Sequence, residues 1–235
     1  MARKFIPSRQ RRQRRQRAGH RDAVVVVGLG RFGRAVAKAL VEADTEVLGI
    51  DAGQDVVQAL SGVLTHTVRA DSTKEDALRQ LGVQDFDRAV VAIGSNLEAS
   101  ILTASLLVSF GIKHVWAKAT SEEHGRILSQ LGVHHVVLPE HDMGQRVAHL
   151  VRGRMLDYIE WEEGFAMVKT NPPAGIVGVP LGESDIRSRF GLTVVAVKRP
   201  GEAFTYATPA TVLGPGDTII VAGGTRETER FSELR

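Results

Sequence analysis

The sequence predicts an α/β protein: a Rossmann-like, doubly wound parallel sheet followed by a smaller α+β unit rich in short strands. Three observations carry this. From Ala23 onward, short apolar runs alternate with segments of helical period, and parallel strands need helical crossovers of this kind. Gly28, Gly30 and Gly33 form G-x-G-x-x-G between the first apolar run and the first helical segment, where a phosphate-binding turn belongs. Beyond Arg154 the texture changes to Gly, Pro and short alternating apolar runs, which places a domain boundary near that residue. The expected organisation is a basic leader over 1–22, a nucleotide-binding domain over 23–153 and a small domain over 154–235.

The elements follow in order. "AVVVVG" reads as a buried strand. "RFGRAVAKALVEA" is a helix with Phe32, Val36, Ala39 and Leu40 on one face, and "TEVLGID" is a second strand. "GQDVVQALS" is a helix and "LTHTVRAD" a strand. "TKEDALRQLG" is a helix capped by Ser72 or Thr73, and "FDRAVVAIG" is the fourth strand. "NLEASILTASLLVSFG" and "SEEHGRILSQLG" are helices, alternating with the strands "HVWAKA" and "HHVVLP". After Pro139, "EHDMGQRVAHLVRGRM" is one more helix, and "GFAMVKT", "GLTVVAVKRPG" and "DTIIVAGG" are strands of the small domain.

Composition narrows the chemistry. The 235 residues include no cysteine, which excludes disulfides, thiolate zinc sites and cysteine nucleophiles and suits a reducing, cytosolic setting. No apolar run approaches the about 18 residues needed to span a bilayer. The arginine-rich start is not a secretory signal, because Arg31 and Arg34 break the following apolar run. The net charge of +3 hides an asymmetry. Residues 1–22 hold nine Lys or Arg and one acid, which leaves 21 basic against 26 acidic residues and a net of −5 for the remainder. "RQRRQRRQR" has no interleaved aromatics and reads as a solvated, unfolded leader. It is alternatively a site of attraction to anionic lipid or, less in keeping with the rest of the chain, nucleic acid.

Within the glycine motif, the first glycine permits the tight turn, the second lets phosphate approach the backbone, and the third lets helix and strand pack closely. Asp51 ends the next strand at the spacing of an acid that takes a ribose hydroxyl, and its charge disfavours a 2′-phosphate. Asp71 ends the third strand at the same sheet edge, as a cleft residue or as the start of a helix cap. Backbone amides already satisfy a pyrophosphate. Arg31 therefore points to the extra charge of a terminal phosphate such as that of ATP, or else is an exposed helix-start arginine. A dehydrogenase would need a second domain that delivers an acid or base, and no histidine follows Arg154. No nucleophile elbow is present. His114, His134, His135, His141 and His149 lack the spacing of a zinc hydrolase and are read as structural. The expectation is a sensed ligand rather than an enzyme; the alternative is an NAD(H)-binding redox sensor or a small NAD-dependent oxidoreductase.

From Ala23 onward the chain resembles the RCK family (KTN; TrkA-N plus TrkA-C), the regulatory subunits of bacterial potassium channels and transporters, in particular the KtrA type. The carriers in the first domain are "VVGLGRFGRAVAKAL", "RADSTKEDALRQLGV", "AVVAIGSNLEASILTASLL", "VWAKA" and "LGVHHVVLPEHDMGQRVA". In the second they are "VGVPLGESDIRSRFGLTVVAVKR" and "VLGPGDTIIVAGG". The resemblance implies a cytoplasmic non-enzyme that dimerises into an octameric ring on a KtrB-like membrane channel subunit. ATP and ADP favour different ring shapes and so gate potassium flux. It further implies that Gly28, Gly30 and Gly33 hold phosphates and Asp51 the ribose. Asp71 and Lys118 line the cleft with Phe32, Ser72 and Gly94, and Arg31 reaches a terminal phosphate. Glu140 falls at the position linked to a divalent cation such as Mg2+ or Ca2+, which suits carboxylate and phosphate oxygens; read from its own sequence, it is a helix N-terminal acid. The small domain resembles the TrkA-C module that binds cyclic di-AMP, with Asp185, Ile186 and Arg187 as matching contacts and Pro209 beside the base. Gly182 and Thr193 depart from that pattern, and "DIR" read alone is a capped, partly buried helix. The arginine-rich leader departs from it too; beside a membrane it would gain about 1 kcal/mol per basic residue.

Overall fold

The computed structural model describes residues 22–152, 155–161 and 164–234. The arginine-rich leader before Asp22, and the expected boundary residue Arg154, lie outside the described residues. The chain divides into two compact units between Glu140 and His141.

The first unit is a six-stranded sheet of order β3-β2-β1-β4-β5-β6, every neighbouring pair parallel. Its strands are β1 (Val24–Val27), β2 (Val47–Asp51), β3 (His66–Arg69), β4 (Arg88–Val91), β5 (His114–Lys118) and β6 (His135–Val137). The crossover helices are α1 (Arg31–Glu42), α2 (Gln54–Leu60), α3 (Glu75–Gln80), α4 (Leu97–Ser109) and α5 (Glu122–Gln130). The order reverses at β1, which pairs with β2 on one side and β4 on the other, so the carboxyl ends of β1 and β4 form the crevice of a doubly wound fold.

All four residues of β1 are buried because alternate side chains serve opposite faces. Val25 and Val27 join Ile50, Val91, Leu107 and Leu128 in one core cluster. Val24 and Val26 join Val47, Ala37 and Leu60 in the other. Of the expected Phe32–Val36–Ala39–Leu40 stripe of α1, only Leu40 packs on the core cluster. Gly33 and Ala37 are its buried residues, with Leu40 and Val41 packed beside them, while Ala39 is exposed. Close approach at Gly33 sets this face: a Cβ built there would lie 1.9 Å from the Gly28 carbonyl oxygen.

Local chemistry fixes the helix starts. Asn96 accepts from the Ala99 amide at 3.0 Å at the head of α4, and Ser121 accepts from the His124 amide at 3.2 Å at the head of α5. At α3 neither expected cap serves. The capping position is Lys74, with no side-chain cap bond. Thr73 is held instead by Asp71, and Ser72 is buried against Thr103.

The second unit is an antiparallel sheet of order β10-β9-β11-β8-β7. Its strands are β7 (Asp157–Trp161), β8 (Phe165–Thr170), β9 (Thr193–Lys198), β10 (Thr205–Tyr206) and β11 (Thr218–Gly224). α7 (Ile186–Phe190) and α8 (Thr225–Ser232) complete it around a core that includes Val168, Ile219, Val221, Leu192 and Phe231. The helix α6 (Pro139–Arg152) begins in the first unit, but from His141 onward it belongs to the second. Arg146 bonds Asp157, the His149 ring stacks on Tyr158 at 4.2 Å, and His149 Nδ1 lies 2.7 Å from Glu229 Oε1. These contacts draw the division ahead of the boundary expected near Arg154.

Gly33→Ala is expected to force helix and strand apart, with a destabilisation of about 2 kcal/mol or more; a lowered urea midpoint at unchanged m-value checks it.

Candidate functional site

The β1–α1 turn is built by three glycines with three different roles. Gly28 has φ +89°, a left-handed conformation, and any Cβ there would meet Ala92 and Ile93 at 3.0 Å. Gly33 allows the close packing described above. At Gly30 a Cβ would find nothing within 4 Å. Packing does not require that glycine, and the space above it is open at the N-terminus of α1, where backbone amides and the helix dipole attract anions.

Asp51 ends β2 beside this turn. Its Oδ2 accepts from the Leu29 amide at 2.6 Å and its Oδ1 from the Gly53 amide at 2.7 Å, so both oxygens are aimed before any ligand arrives. Asp71 is exposed after β3. The Thr73 hydroxyl and amide both donate to its Oδ1, at 2.6 and 3.0 Å, and hold its carboxyl below the usual aspartate range. Ser72 differs from the expectation: its hydroxyl is buried 2.8 Å from Thr103 Oγ1, so its side chain ties the loop to α4 instead of lining the cleft.

The carboxyl end of β5 supplies a cation. Lys118 Nζ donates to Glu140 Oε1 at 2.6 Å and lies 5.8 Å from the Phe32 ring centroid. A Cβ at Gly94 would be 3.5 Å from that same Nζ, an ordinary contact that places Gly94 beside Lys118. The Lys118 side chain is only 12% exposed, against 68% for Glu140. Lys118, through its hydrogen bond and then its charge, holds the Glu140 carboxyl below the usual glutamate range, and Arg31 adds to the effect. Arg31, Phe32, Gly94, Lys118 and Glu140 are thereby brought together.

The donor set does not by itself fit a divalent cation. No group of three or more His, Asp or Glu suited to a metal occurs among the described residues. Glu140 offers one carboxylate, already occupied on one oxygen by an ammonium, whereas such ions take six or more oxygen ligands.

The second unit gathers Asp185, Ile186, Arg187 and Pro209, with Gly182 and Thr193, around a surface pocket of ≈ 490 Å³. Asp185 has φ +54° and makes no side-chain cap bond to the helix amides; its Oδ1 accepts from Ser188 Oγ at 3.3 Å, and Ile186 is buried. Both departures from the family pattern lie at this pocket. Gly182 packs on Pro209, where a Cβ would stand 3.2 Å from the Pro209 carbonyl, and Thr193 Oγ1 accepts from Arg187 Nη2 at 3.2 Å.

Residues 24–139 match the TrkA-N domain and residues 165–235 the TrkA-C domain. Over 88% of its length the chain is 38% identical to Ktr system potassium uptake protein C of Bacillus subtilis (strain 168), covering 95% of that protein. The chain belongs to the Ktr potassium uptake family, built from a TrkA-N and a TrkA-C domain. Ktr system potassium uptake protein A of Vibrio alginolyticus is 34% identical over 84% of the chain and 90% of its own length. Among solved structures, the GsuK channel superposes with TM-score 0.67 at 18% identity over 92% of this chain, and a GsuK RCK domain with TM-score 0.64 at 19% identity over 90%. This chain spans 40% and 48% of those two chains. The likeness establishes the fold. It accords with the Rossmann-like unit and small second domain expected of this family.

Gly53, Arg69 and Thr73 hold the turns that carry Asp51 and Asp71; Gly53 and Arg69 are not among the residues expected from the sequence, and Thr73 is expected only as a helix cap. Gly53 lies two residues beyond Asp51 and Thr73 two beyond Asp71, a spacing at which an aspartate meets its own backbone, so these two were legible in principle. Arg69 is not, because its partner is reached only through strand register.

Lys118→Met is expected to raise the Glu140 carboxyl toward its ordinary value of 4.5 without reaching it, because Arg31 and a backbone hydrogen bond still favour the carboxylate; carbon-detected NMR titration reads the shift. Because the folded value is depressed, the contact's contribution to stability is present above pH 4.5 and disappears as pH falls through the lower folded value. In the Met variant that acid-dependent loss should shrink.

Proposed function

We propose that this protein is the regulatory subunit of a potassium uptake system, a non-enzyme that senses adenine nucleotide in the β1–β5 crevice and passes the result to a KtrB-like membrane subunit. The observation that carries it is Lys118, bonded to Glu140 and set over the ring of Phe32 next to Arg31, at one end of a crevice whose other end holds the oriented Asp51 carboxylate. Two cations exceed what amides and a helix dipole need for a pyrophosphate, and they suit a chain of phosphates. A bound nucleotide would bring the negative charge that these groups read. Gly28, Gly30 and Gly33 would hold the phosphates, Asp51 the ribose hydroxyls, and Arg31 with Lys118 the terminal phosphate, with Asp71, Phe32 and Gly94 lining the cleft. A divalent cation at Glu140 would draw its remaining oxygens from phosphate or from a second copy of the chain.

Gating follows from differential affinity. ATP and ADP would each favour one shape of a ring assembled from dimers, eight-membered in this reading. Moving such a ring from 1:99 to 99:1 needs a preference of about 10⁴ for one shape. The pocket at Asp185, Ile186, Arg187 and Pro209 would take cyclic di-AMP as a second input. Among the described residues no helix is long and apolar enough to cross a membrane. Peripheral attachment through the channel subunit on the cytoplasmic side accords with this, with contact between the basic leader and anionic lipid adding to it. Sensing of NAD(H) is the second reading, favoured by the GsuK channel bound to NAD, which superposes with TM-score 0.63.

Isothermal titration with ATP, ADP, NADH and cyclic di-AMP, each with and without magnesium, tests these readings. Tight ATP and ADP with weak NADH is the expected result; preference for NADH would move the protein toward redox sensing. Arg31→Ala should weaken ATP more than ADP, and equal losses would count against its assignment to the terminal phosphate. Gly30→Ala should leave the urea midpoint unchanged, since its methyl meets no protein atom, while weakening both nucleotides by tenfold or more, an effect of about 1.4 kcal/mol.

A further inference from the structure

The Asp51 carboxylate sits on a turn, Asp51-Ala52-Gly53, that three parts of the chain hold in place. Leu29, in the β1–α1 turn, donates its amide to Oδ2. Gly53 donates its own amide to Oδ1, and a Cβ there would stand 3.2 Å from that oxygen. The third hold is Arg69, the last residue of β3, which is in register with Asp51. Its Nε donates to the Ala52 carbonyl at 3.1 Å. The next ladder bond, from the Ala70 amide to the Asp51 carbonyl at 3.0 Å, continues the pairing up to the turn itself.

The Ala52 carbonyl belongs to the same peptide group as the Gly53 N–H, the amide that aims the carboxylate. Removing the Arg69 bond would free this peptide to rotate, and Gly53 N–H would turn with it. A hydrogen bond between a charged and a neutral group selects strongly only when its acceptor is fixed in advance. Among the described residues Arg69 makes no ion pair with a carboxylate, and its Nε is committed to the Ala52 carbonyl.

We infer that Arg69 is a positioning residue for ribose recognition: it fixes the Asp51-Ala52-Gly53 turn so that the site selects a ribonucleotide over its 2′-deoxy counterpart. The inference rests on the nucleotide-binding reading of the crevice. It assigns Arg69 no contact with phosphate and predicts a change in selectivity rather than a general loss of affinity.

Glutamine provides the discriminating substitution, since its Nε2 lies the same number of bonds from the backbone as arginine Nε and donates without the charge. The experiment is calorimetric titration of the full chain and its Arg69→Ala and Arg69→Gln variants with ADP, 2′-deoxy-ADP and inorganic tripolyphosphate at fixed magnesium. The unaltered protein is expected to prefer ADP over 2′-deoxy-ADP by about tenfold. Arg69→Ala should reduce that ratio to about threefold or less, Arg69→Gln should keep it, and tripolyphosphate should bind all three alike. An Arg69→Ala ratio equal to that of the unaltered protein overturns the inference. So does an Arg69→Gln ratio as low as that of Arg69→Ala, which would make charge the operative property. Loss of tripolyphosphate binding in Arg69→Ala would also overturn it, by showing a general disturbance of the crevice. If the unaltered protein binds neither nucleotide, the crevice reading itself falls; if it binds both equally, the ribose role alone falls.

Discussion

Gly33 meets the carbonyl of Gly28 at a distance that no side chain could survive, and the first unit is arranged around that approach. It draws the N-terminus of α1 against the end of β1 and turns Gly33 and Ala37, rather than Phe32 and Ala39, toward the sheet. Phe32 is left facing the crevice edge, within reach of Lys118. The same approach leaves the amide-rich mouth of α1 open above Gly30. One steric constraint thus shapes both the packing of a helix and the vacancy in which an anion would be met.

Electrostatics completes what sterics begins. A lysine as enclosed as Lys118 needs a counter-charge, since an unpaired buried ammonium is costly. Glu140 supplies it from the first turn of α6, the helix that leads out of the first unit. On the opposite flank Asp51 is an acid held by amides rather than by a neighbouring cation. The crevice therefore has a cationic end and an anionic end, a polarity matching a ligand that carries phosphates at one end and hydroxyls at the other.

The alternation of strands and helices was legible because the buried strands are continuous apolar runs and every crossover has helical length. Gly28, Gly30, Gly33 and Asp51 were legible because their spacing along the chain is itself the geometry of a turn followed by a strand. Ser72 was misread: its neighbours in sequence say nothing of Thr103, which reaches it only after α4 packs against the sheet. The α1 face was misread because helical period alone cannot tell which of two adjacent stripes a glycine contact will select. Lys118 and Glu140 entered through the family resemblance, yet their mutual contact follows from β5 and α6 ending at one edge, a fact of three-dimensional topology. Arg69 escaped notice for the same reason, because strand register is not written in local spacing.

The reversal of strand order at β1 has a consequence for how the chain acquires its shape. Val24 is in register with Val47 on one side and with Arg88 on the other. The central strand cannot be flanked on both sides until four strands and three helices have been synthesised. Long-range pairing of this kind is slow to nucleate, since a large loop must close before any contact repays the lost entropy. The second unit pairs β7 with its immediate successor β8 in an antiparallel ladder, which closes over a short loop. The other edge of β8, however, is paired with β11, so this sheet too is completed only when its last strand has been made, and each unit places a long-range closure at its centre.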